Sequence, residues 1–540
     1  MKKAQSYLQI ASQQPLFLSY LLVFVVFALT LFFNDGFMGT DEYWTGITRY
    51  IPAQTSSVSG LVTTDDVKSP TQLMPFYVAA QAVHFFGENK PYWQYRWVTA
   101  LLAIINLLVF LKAFSIFFQS AKEKITLNLI FSLHAISAFV FTRPMFEAMA
   151  APWLMLSVAY LFRYDQQWVY FCQTQKNKWG TDEYKKLFSE FSRINLQHLI
   201  YALIFFTVAF LLRPQVALCS LLLLALPLWH KDYRSLRWIT GCGALTLALT
   251  GLPDLFLRGQ WHFSIFALGK YNAEHGQDYG GGSWLNYIFL LLAVAWAPFW
   301  ITKNKPRPEY FIFFRTVFAA IGLFILLHAF FAQKFERFMI PIVPLVFVLI
   351  TPVVLDYFSR FKQHRWRLVF LLALNMPLFF IAAFFPSQKN IIEVALFLDQ
   401  HQQIKNVYYL ADTPEWIPEA FIEHKNHQMK VLPEKEMLTR LTDASSVGAE
   451  DLILVPESWL LAQQKDLLEQ ASTTKANGVS GTKTSGWSKT AATLVKNPSA
   501  FQWEDLQRTE FDVNPIEALA HKFNPKNNNR RIKLVGLWRK

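Results

Sequence analysis

The sequence predicts an all-α polytopic membrane protein followed by a small soluble α/β domain. Three observations predict it. Of the 540 residues, 53% are hydrophobic and only 16% charged, whereas soluble globular domains carry roughly 25% charge. The 51 phenylalanines exceed what an aqueous core uses, and lipid-facing helices accept them freely. Apolar stretches near the length needed to span a bilayer, about 20 residues, recur as far as residue 386 and then stop.

Those stretches fall near 16–33, 97–118, 125–141, 147–162, 198–212, 215–229, 238–253, 284–302, 310–331, 338–356 and 367–385, about eleven transmembrane helices. Lys2 and Lys3 precede the first, and no small-residue cleavage site follows it, so it reads as a retained anchor with a cytoplasmic amino terminus. Counting alternately, the cytoplasmic segments carry Lys122 and Lys124, then Lys176, Lys178, Lys185, Lys186 and Arg193, then Lys231, Arg234 and Arg237. Later ones add Lys303, Lys305, Arg307, Arg360, Lys362, Arg365 and Arg367. The opposite loops are poorer in base, as the positive-inside rule requires. The net charge of +13 therefore marks topology; spread between spans rather than gathered on one face, it argues against nucleic acid as a partner. The apolar run Gln72–Phe86 is short, ends at Gly87-Glu88-Asn89-Lys90-Pro91, and reads as an interfacial helix within a large first external loop. Cys219 and Cys242 lie inside apolar runs and Cys172 in a polar loop, so a disulfide framework is not expected.

From residue 387 to 540 the chain reads as one external domain, after a membrane domain at 1–386. Short apolar strands at Val407–Leu410, Lys430–Leu432 and Leu452–Val455 alternate with helical patterns near 414–424, 434–442 and 457–469. No glycine-rich phosphate loop follows a strand, so nucleotide binding is not expected. The Ser-, Thr-, Gly- and Lys-rich run near 471–490 reads as a flexible insertion.

The chemically promising residues gather on the external side. The first external loop carries Asp41-Glu42 beside Tyr43 and Trp44, an acid pair able to accept a hydroxyl proton or, equally, to cap an interfacial helix. Other external connections are very short and yet charged: Thr142-Arg143-Pro144 with Glu147, Arg213-Pro214-Gln215, Asp254 after the seventh span, and Lys334 to Phe338. Ionised groups beside hydrocarbon are costly and by default mark a site, although snorkelling anchors are the alternative. Lys334 and Arg337, three residues apart, share a helical face suited to a phosphate, and Arg143 and Arg213 add positive charge. The loop from Asp254 to Ser283 supplies Asn272 and Tyr279-Gly280 for sugar hydroxyls and faces. A lipid phosphate bearing a sugar satisfies both the cations and the acids. A transporter or flippase of lipid-linked glycan would also need basic residues, but the charges sit at span ends rather than at mid-bilayer and no internal repeat is evident.

In these motifs the chain resembles the integral membrane glycosyltransferases of the GT-C fold, most closely family 22, the mannosyltransferases of lipid-linked oligosaccharide and GPI-anchor assembly. The resemblance covers roughly the first 390 residues: Asp41-Glu42 at the family's acidic pair, then Thr142-Arg143 with Glu147, Arg213-Pro214, the Asp254 to Tyr287 loop, and Lys334 to Phe338. Gly39-Thr40 and Gln333-Lys334-Phe335-Glu336 depart from the family's His-Pro and His-Lys-Glu. The segment Ser69 to Gly87 with Arg96 also resembles family 39 and aminoarabinose-transferase relatives, in which such a helix lies along the membrane.

The resemblance implies transfer of a sugar, mannose in this family, from a polyprenyl-phosphate donor to a glycan, lipid or protein acceptor on the external face. It implies inverting chemistry with Asp41 as base, Glu42 as orienting acid, Lys334, Arg337, Arg143 and Arg213 at the donor phosphate, and Glu147, Asp254, Asn272, Tyr279 and Trp44 around the substrate. No metal or cofactor is expected, a lone divalent ion on Asp41 being the alternative. A glycan ligase or polymerase of the same fold class is the rival enzyme. Asn497, followed by Pro498, forms no glycosylation sequon, which favours a bacterial inner membrane with a periplasmic site over an ER membrane with a lumenal one.

Overall fold

A computed structural model describes residues 2–37, 68–88, 90–175, 181–275, 283–297, 308–330 and 336–410, and beyond these 417–418, 421–423, 427–442, 447–463, 465, 506–523 and 532–539. The chain forms two compact units: residues 1–34, 44–89 and 94–384, and residues 35–43, 90–93 and 385–540.

The first unit is built from α1 (Lys2–Phe33), α2 (Pro70–Phe85), α3 (Pro91–Phe117), α4 (Ala121–Leu133), α5 (Ser137–Thr142), α6 (Phe146–Thr174) and α7 (Asp182–Leu212). It continues through α8 (Ser220–Trp229), α9 (Leu236–Arg258), α10 (Phe263–His275), α11 (Leu285–Val294), α12 (Pro308–Ala329), α13 (Val343–Ser359) and α14 (Phe361–Phe384). Among the described residues six helical stretches are long and apolar enough to cross a membrane: Gln14–Phe33, Pro91–Phe117, Lys186–Leu212, Tyr233–Arg258, Glu336–Ser359 and Arg365–Gln400. Pro214–Trp229, Leu285–Val294 and Phe314–Ala329 are shorter apolar helices. In lipid, helices gain little from burying apolar surface against each other, so close backbone approach has to hold them. The α6–α7 pair does this with small residues: Ala148, Ala151 and Ala159 of α6 and Ala202 and Ala209 of α7 are completely buried, and Ser157 Oγ donates to Ala202 O at 2.7 Å.

The apolar run at 125–141 is not one helix. α4 stops at Leu133 and α5 starts at Ser137, which strands backbone groups in an apolar setting. Asn375 of α14 repairs the break, donating to Leu133 O at 2.7 Å and accepting from Ala135 N at 2.9 Å. His134 fills the gap, stacked on Trp296 at 4.5 Å and hydrogen-bonded through Nε2 to Val294 O at 3.0 Å. Sequence hydropathy registers the apolar window but not the asparagine 240 positions away that lets it bend.

The interfacial segment forms α2, opened by a capping box: Ser69 Oγ accepts from Thr71 N, and Gln72 Oε1 accepts from Ser69 N at 3.0 Å.

One polar network ties α6, α8, α9 and α12 together. Asp165 of α6 accepts from His230 Nε2 at 2.8 Å, Arg315 Nε at 2.8 Å and Thr316 Oγ1 at 3.1 Å, and from Arg315 Nη2 as well. Beside it Asp232 accepts from Tyr164 at 3.0 Å and Ser235 at 2.6 Å, and begins the turn into α9.

The second unit carries a five-stranded sheet of β1 (Asn406–Leu410), β2 (Gln428–Leu432), β3 (Asp451–Pro456), β4 (Gln507–Phe511) and β5 (Leu534–Trp538) in the order β2-β1-β3-β5-β4. β1, β2 and β3 are parallel, and β5 runs antiparallel to β3 and β4. Its helices are α15 (Lys389–Gln400), α16 (Glu434–Thr442) and α17 (Pro515–Phe523). Central β3 and β5 are buried along their whole length, while β2 and β4 leave polar residues exposed, as edge strands that avoid mispairing do. The three strands read from the sequence are β1, β2 and β3. β4 and β5 were not among them, because Gln-Arg-Thr-Glu-Phe is too polar and Gly536 interrupts Leu-Val-Gly-Leu-Trp. The helix read at 434–442 is α16; most of that read near 414–424, and the whole 471–490 run, lie outside the described residues.

Lys533 donates to Glu510 at 2.5 Å and lies 3.2 Å from Glu457 and 3.4 Å from Asp512. The bond to Glu510 raises the ammonium pKa and lowers that of the carboxyl. This contribution is present above the ordinary carboxylate range and is lost as pH falls through the lowered Glu510 value. Being exposed, it will also weaken with salt.

Removing the centre of the α6 network leaves Arg315 without its carboxylate. Asp165→Ala is expected to destabilise the helical unit by about 3 kcal/mol, measured as the midpoint of denaturant unfolding in lipid nanodiscs, against little change for a lipid-facing control such as Phe256→Leu.

Candidate functional site

α6 begins at Phe146 and places Glu147 in its first turn, where the helix dipole favours a carboxylate. The partner comes from the end of α7. Arg213 leaves that helix in an extended conformation, the one favoured before a proline, and its guanidinium meets Glu147 at 2.9 Å with both side chains buried. Arg213 also lies over the ring of Phe338, 5.4 Å from its centroid, and Arg337 lies 5.8 Å from the same ring. The 3₁₀ turn Glu336–Ile342 delivers both Arg337 and Phe338. His328, near the end of α12, packs against Phe338 at 5.9 Å and stacks on Phe324 at 4.3 Å, and Tyr287 of α11 meets it edge-on at 6.3 Å.

α2 reaches the same place. Gln72 Nε2 donates to Leu212 O at 3.0 Å and so caps the end of α7 next to Arg213. Phe76 packs edge-on to Phe146 at 5.3 Å, and the Lys68 ammonium lies 5.2 Å over that ring. Three cations, Lys68, Arg213 and Arg337, thus converge on two phenylalanines around the buried acid Glu147. Such a cluster can hold an anion, with Arg213 already balanced by Glu147.

The other sequence candidates divide. Arg143, completely buried, donates through Nη2 to Asn34 O beyond the end of α1, and its guanidinium lies 4.9 Å over Phe139. Arg96 does the same one turn earlier, donating at 2.8 Å to Leu31 O and Phe32 O. Arg143 therefore fastens the carboxyl end of α1. Asp254, also fully buried, accepts from Ser264 N at 2.8 Å and Ser264 Oγ at 2.5 Å, fixing the start of α10, with Arg258 3.7 Å away. Arg258 in turn donates to Lys68 O at 2.7 Å and so links this turn to the cation cluster. Two glycines make the turn possible: Gly259 ends α9 at φ 72°, and a Cβ on Gly251 would stand 2.6 Å from the Trp261 ring. Asn272 is half-buried in α10. Asp41, Glu42, Trp44, Tyr279 and Lys334 lie outside the described residues. Among the described residues no group of three or more His, Cys, Asp or Glu side chains could hold a metal ion.

Lys68, Arg258 and His328 were not singled out in the sequence. A histidine inside an apolar span is itself a signal, and Ser69-x-x-Gln72 is a legible capping box that would have fixed where α2 starts and hence where Lys68 lies.

The family match defines the class, an integral membrane glycosyltransferase. The Alg9-like mannosyltransferase family model matches residues 18–416, and the chain belongs to that family. No curated protein sequence matches it. Among solved structures, apo ArnT from Cupriavidus metallidurans aligns with a TM-score of 0.51 at 13% identity, over 84% of this chain and 94% of that one, which places the chain in the GT-C architecture. ArnT bound to undecaprenyl phosphate aligns at 0.49 with 11% identity, covering 82% and 93% of the two chains. The oligosaccharyltransferase AglB from Archaeoglobus fulgidus, in complex with an inhibitory peptide and a dolichol-phosphate, aligns at 0.40 with 11% identity, covering 83% and 70%.

If Glu147 chiefly balances a buried charge, its removal costs more than its own bonds. Glu147→Ala is expected to destabilise by about 3–5 kcal/mol, and the double replacement Glu147→Leu with Arg213→Met to recover most of that loss. Denaturant unfolding of the three variants measures both numbers.

Proposed function

We propose that the chain transfers mannose from a polyprenyl-phosphate donor to a glycan, lipid or protein acceptor at the external face of the membrane, periplasmic in a bacterial inner membrane. Membership of a mannosyltransferase family over residues 18–416 carries this reading, because that span includes the acidic pair and every cation of the site. In a single displacement, the acceptor hydroxyl loses its proton to Asp41 as it attacks the anomeric carbon, and the polyprenyl phosphate leaves with the bonding pair. Glu42 orients the acceptor or the sugar. Lys334 and Arg337 stabilise the charge that grows on the leaving phosphate. The same reading gives Arg213 and Arg143 supporting parts, since the first is paired with Glu147 and the second with Asn34. Asp254, Asn272, Tyr279 and Trp44 complete the sugar and acceptor surface in this proposal. The membrane domain at 1–386 carries the chemistry and the segment 387–540 is an external domain.

Asp41→Asn, assayed with radiolabelled polyprenyl-phosphate mannose and membranes of the source organism as acceptor, is expected to lose about 10²–10⁴ in kcat with donor binding retained. Unchanged transfer would remove Asp41 as the base. Lys334→Ala is expected instead to raise the KM for the donor as well as lower kcat. Absence of transfer by the wild type, with whole lipid-linked glycans accepted in its place, would favour the ligase reading.

A further inference from the structure

A cavity of about 820 Å³ opens between the end of α6 and the start of α7. It lies far from the cation cluster, because Asp165, on its wall, follows Glu147 by 18 residues, about 27 Å of helix. Sites for small molecules run to roughly 300–1,000 Å³, so the space suits a ligand of that size or the head of a lipid. α7 lines it with Leu187, Glu190, Phe191 and Ile194, whose spacing puts all four on one helix face. Across from them Phe171 of α6 stacks on Phe191 at 4.2 Å with 12° between the rings.

The place is a membrane border. The apolar core of a bilayer is roughly 30 Å thick, so a helix with Glu147 at one border brings this cavity close to the other. Tyr170 and Ile194, which line it, are 68% and 48% exposed, apolar surface that lipid would cover.

The charges on the wall select what enters. Asp165 and Glu190 line the cavity, and among the described residues no lysine, arginine or histidine does. Asp165 is already met by Arg315 and His230, whereas Glu190 has no ion pair among the described residues. Gln175, which ends α6 and also lines the cavity, carries a buried Oε1 with no hydrogen-bond partner among the described residues. A carboxylate and an amide oxygen call for N–H donors, and aromatic rings favour a cation. An anionic head would meet no opposite charge inside. At the rim the order reverses: Lys186 and Arg193, both exposed, stand one position from Leu187 and Ile194.

We infer that this cavity binds an aminophospholipid, with its primary ammonium at Glu190 and Gln175, its phosphate at Lys186 and Arg193, and the first carbons of its chains along Phe171, Phe191 and Ile194. A carboxylate within and cations at the rim match a zwitterion held ammonium-first. A choline head has no N–H to donate and a glycerol head has no positive charge, so neither satisfies the inner wall. The site is independent of the sugar-transfer chemistry.

The test is native mass spectrometry of the full-length protein, delipidated in detergent and mixed with equimolar palmitoyl-oleoyl phosphatidylethanolamine, phosphatidylcholine and phosphatidylglycerol. The wild type is expected to retain the ethanolamine lipid about tenfold over either of the others, the worth of one charge-assisted hydrogen bond. Glu190→Gln is expected to bring that ratio within about twofold. Glu274→Gln, an exposed control on α10, is expected to leave it unchanged. Ile194→Trp, which fills the cavity, is expected to abolish the preference. Equal retention of the three lipids would mark a general acyl groove, and preference for the glycerol lipid a basic surface patch; either overturns the inference, as does a preference that survives Glu190→Gln. Should Glu190→Gln lower the melting midpoint, Ile194→Trp decides in its place: loss of the preference supports the site and its persistence overturns it.

Discussion

Hydrocarbon offers no hydrogen-bond partner, so a chain that crosses it must confine ionised groups and broken backbone to places where the protein itself satisfies them. The helical unit obeys this along α6. From Glu147 to Asp165 is 18 residues, about 27 Å of helix at 1.5 Å per residue, close to the roughly 30 Å of a bilayer's apolar core. Between them the one other charge is Arg163, near the Asp165 end, where its guanidinium Nε donates to Ile116 O at 2.7 Å. One helix therefore carries a buried acid in each of two polar layers, and the layers differ in kind. At the Asp165 end the carboxylate accepts from three side chains on two further elements and the network closes on itself. At the Glu147 end several cations and aromatic rings meet from the ends of α2, α7, α12 and the turn at 336–342. A closed network serves stability; a cluster of cations and aromatic rings gathered at helix ends can serve an anionic ligand.

Much of this was legible because hydropathy and charge are local properties. The apolar runs, the short charged connections and the first three strands are each written in a few consecutive residues. What could not be read depends on partners far apart in the chain. The break at His134 exists because Asn375 can bridge it. Arg143 and Asp254 are charged residues at span ends, and no local pattern distinguishes a cation awaiting a phosphate from one bound to Asn34 O, or an acid awaiting a sugar from one bound to Ser264. β5 escaped notice for a related reason: Gly536 interrupts its apolar run, and its pairing with β3 and β4 is what makes it a strand. The carboxyl-terminal unit also recruits residues 35–43 and 90–93, far from its main body, and periodicity has no means of showing that.

The arginines show how one residue type serves two ends. The guanidinium stays charged in almost any surroundings and presents several donors in a plane, so it can bind carbonyls at a helix end as readily as a carboxylate or phosphate. Arg96 and Arg143 take carbonyls of α1 and the residue after it. Arg213 takes a carboxylate and an aromatic face. Fixing the ends of α1 and α7 in this way sets where the chain leaves each helix. The cost of burying each cation is met by the groups it binds at that helix end.

The same reasoning bears on where a catalytic carboxylate can sit. A base must be ionised at working pH, which burial among apolar helices opposes, because desolvation favours the neutral acid. A loop outside the helices keeps the carboxylate solvated, but a loop alone leaves it mobile, and a poorly placed base loses the advantage of proximity. Residues 35–37 meet a rigid body at Gly36 and Phe37, within the unit that carries the sheet. A five-stranded sheet whose central strands are wholly buried is such a body, and its link to the chain runs through backbone atoms of Ser387, which side-chain substitution at that position does not remove.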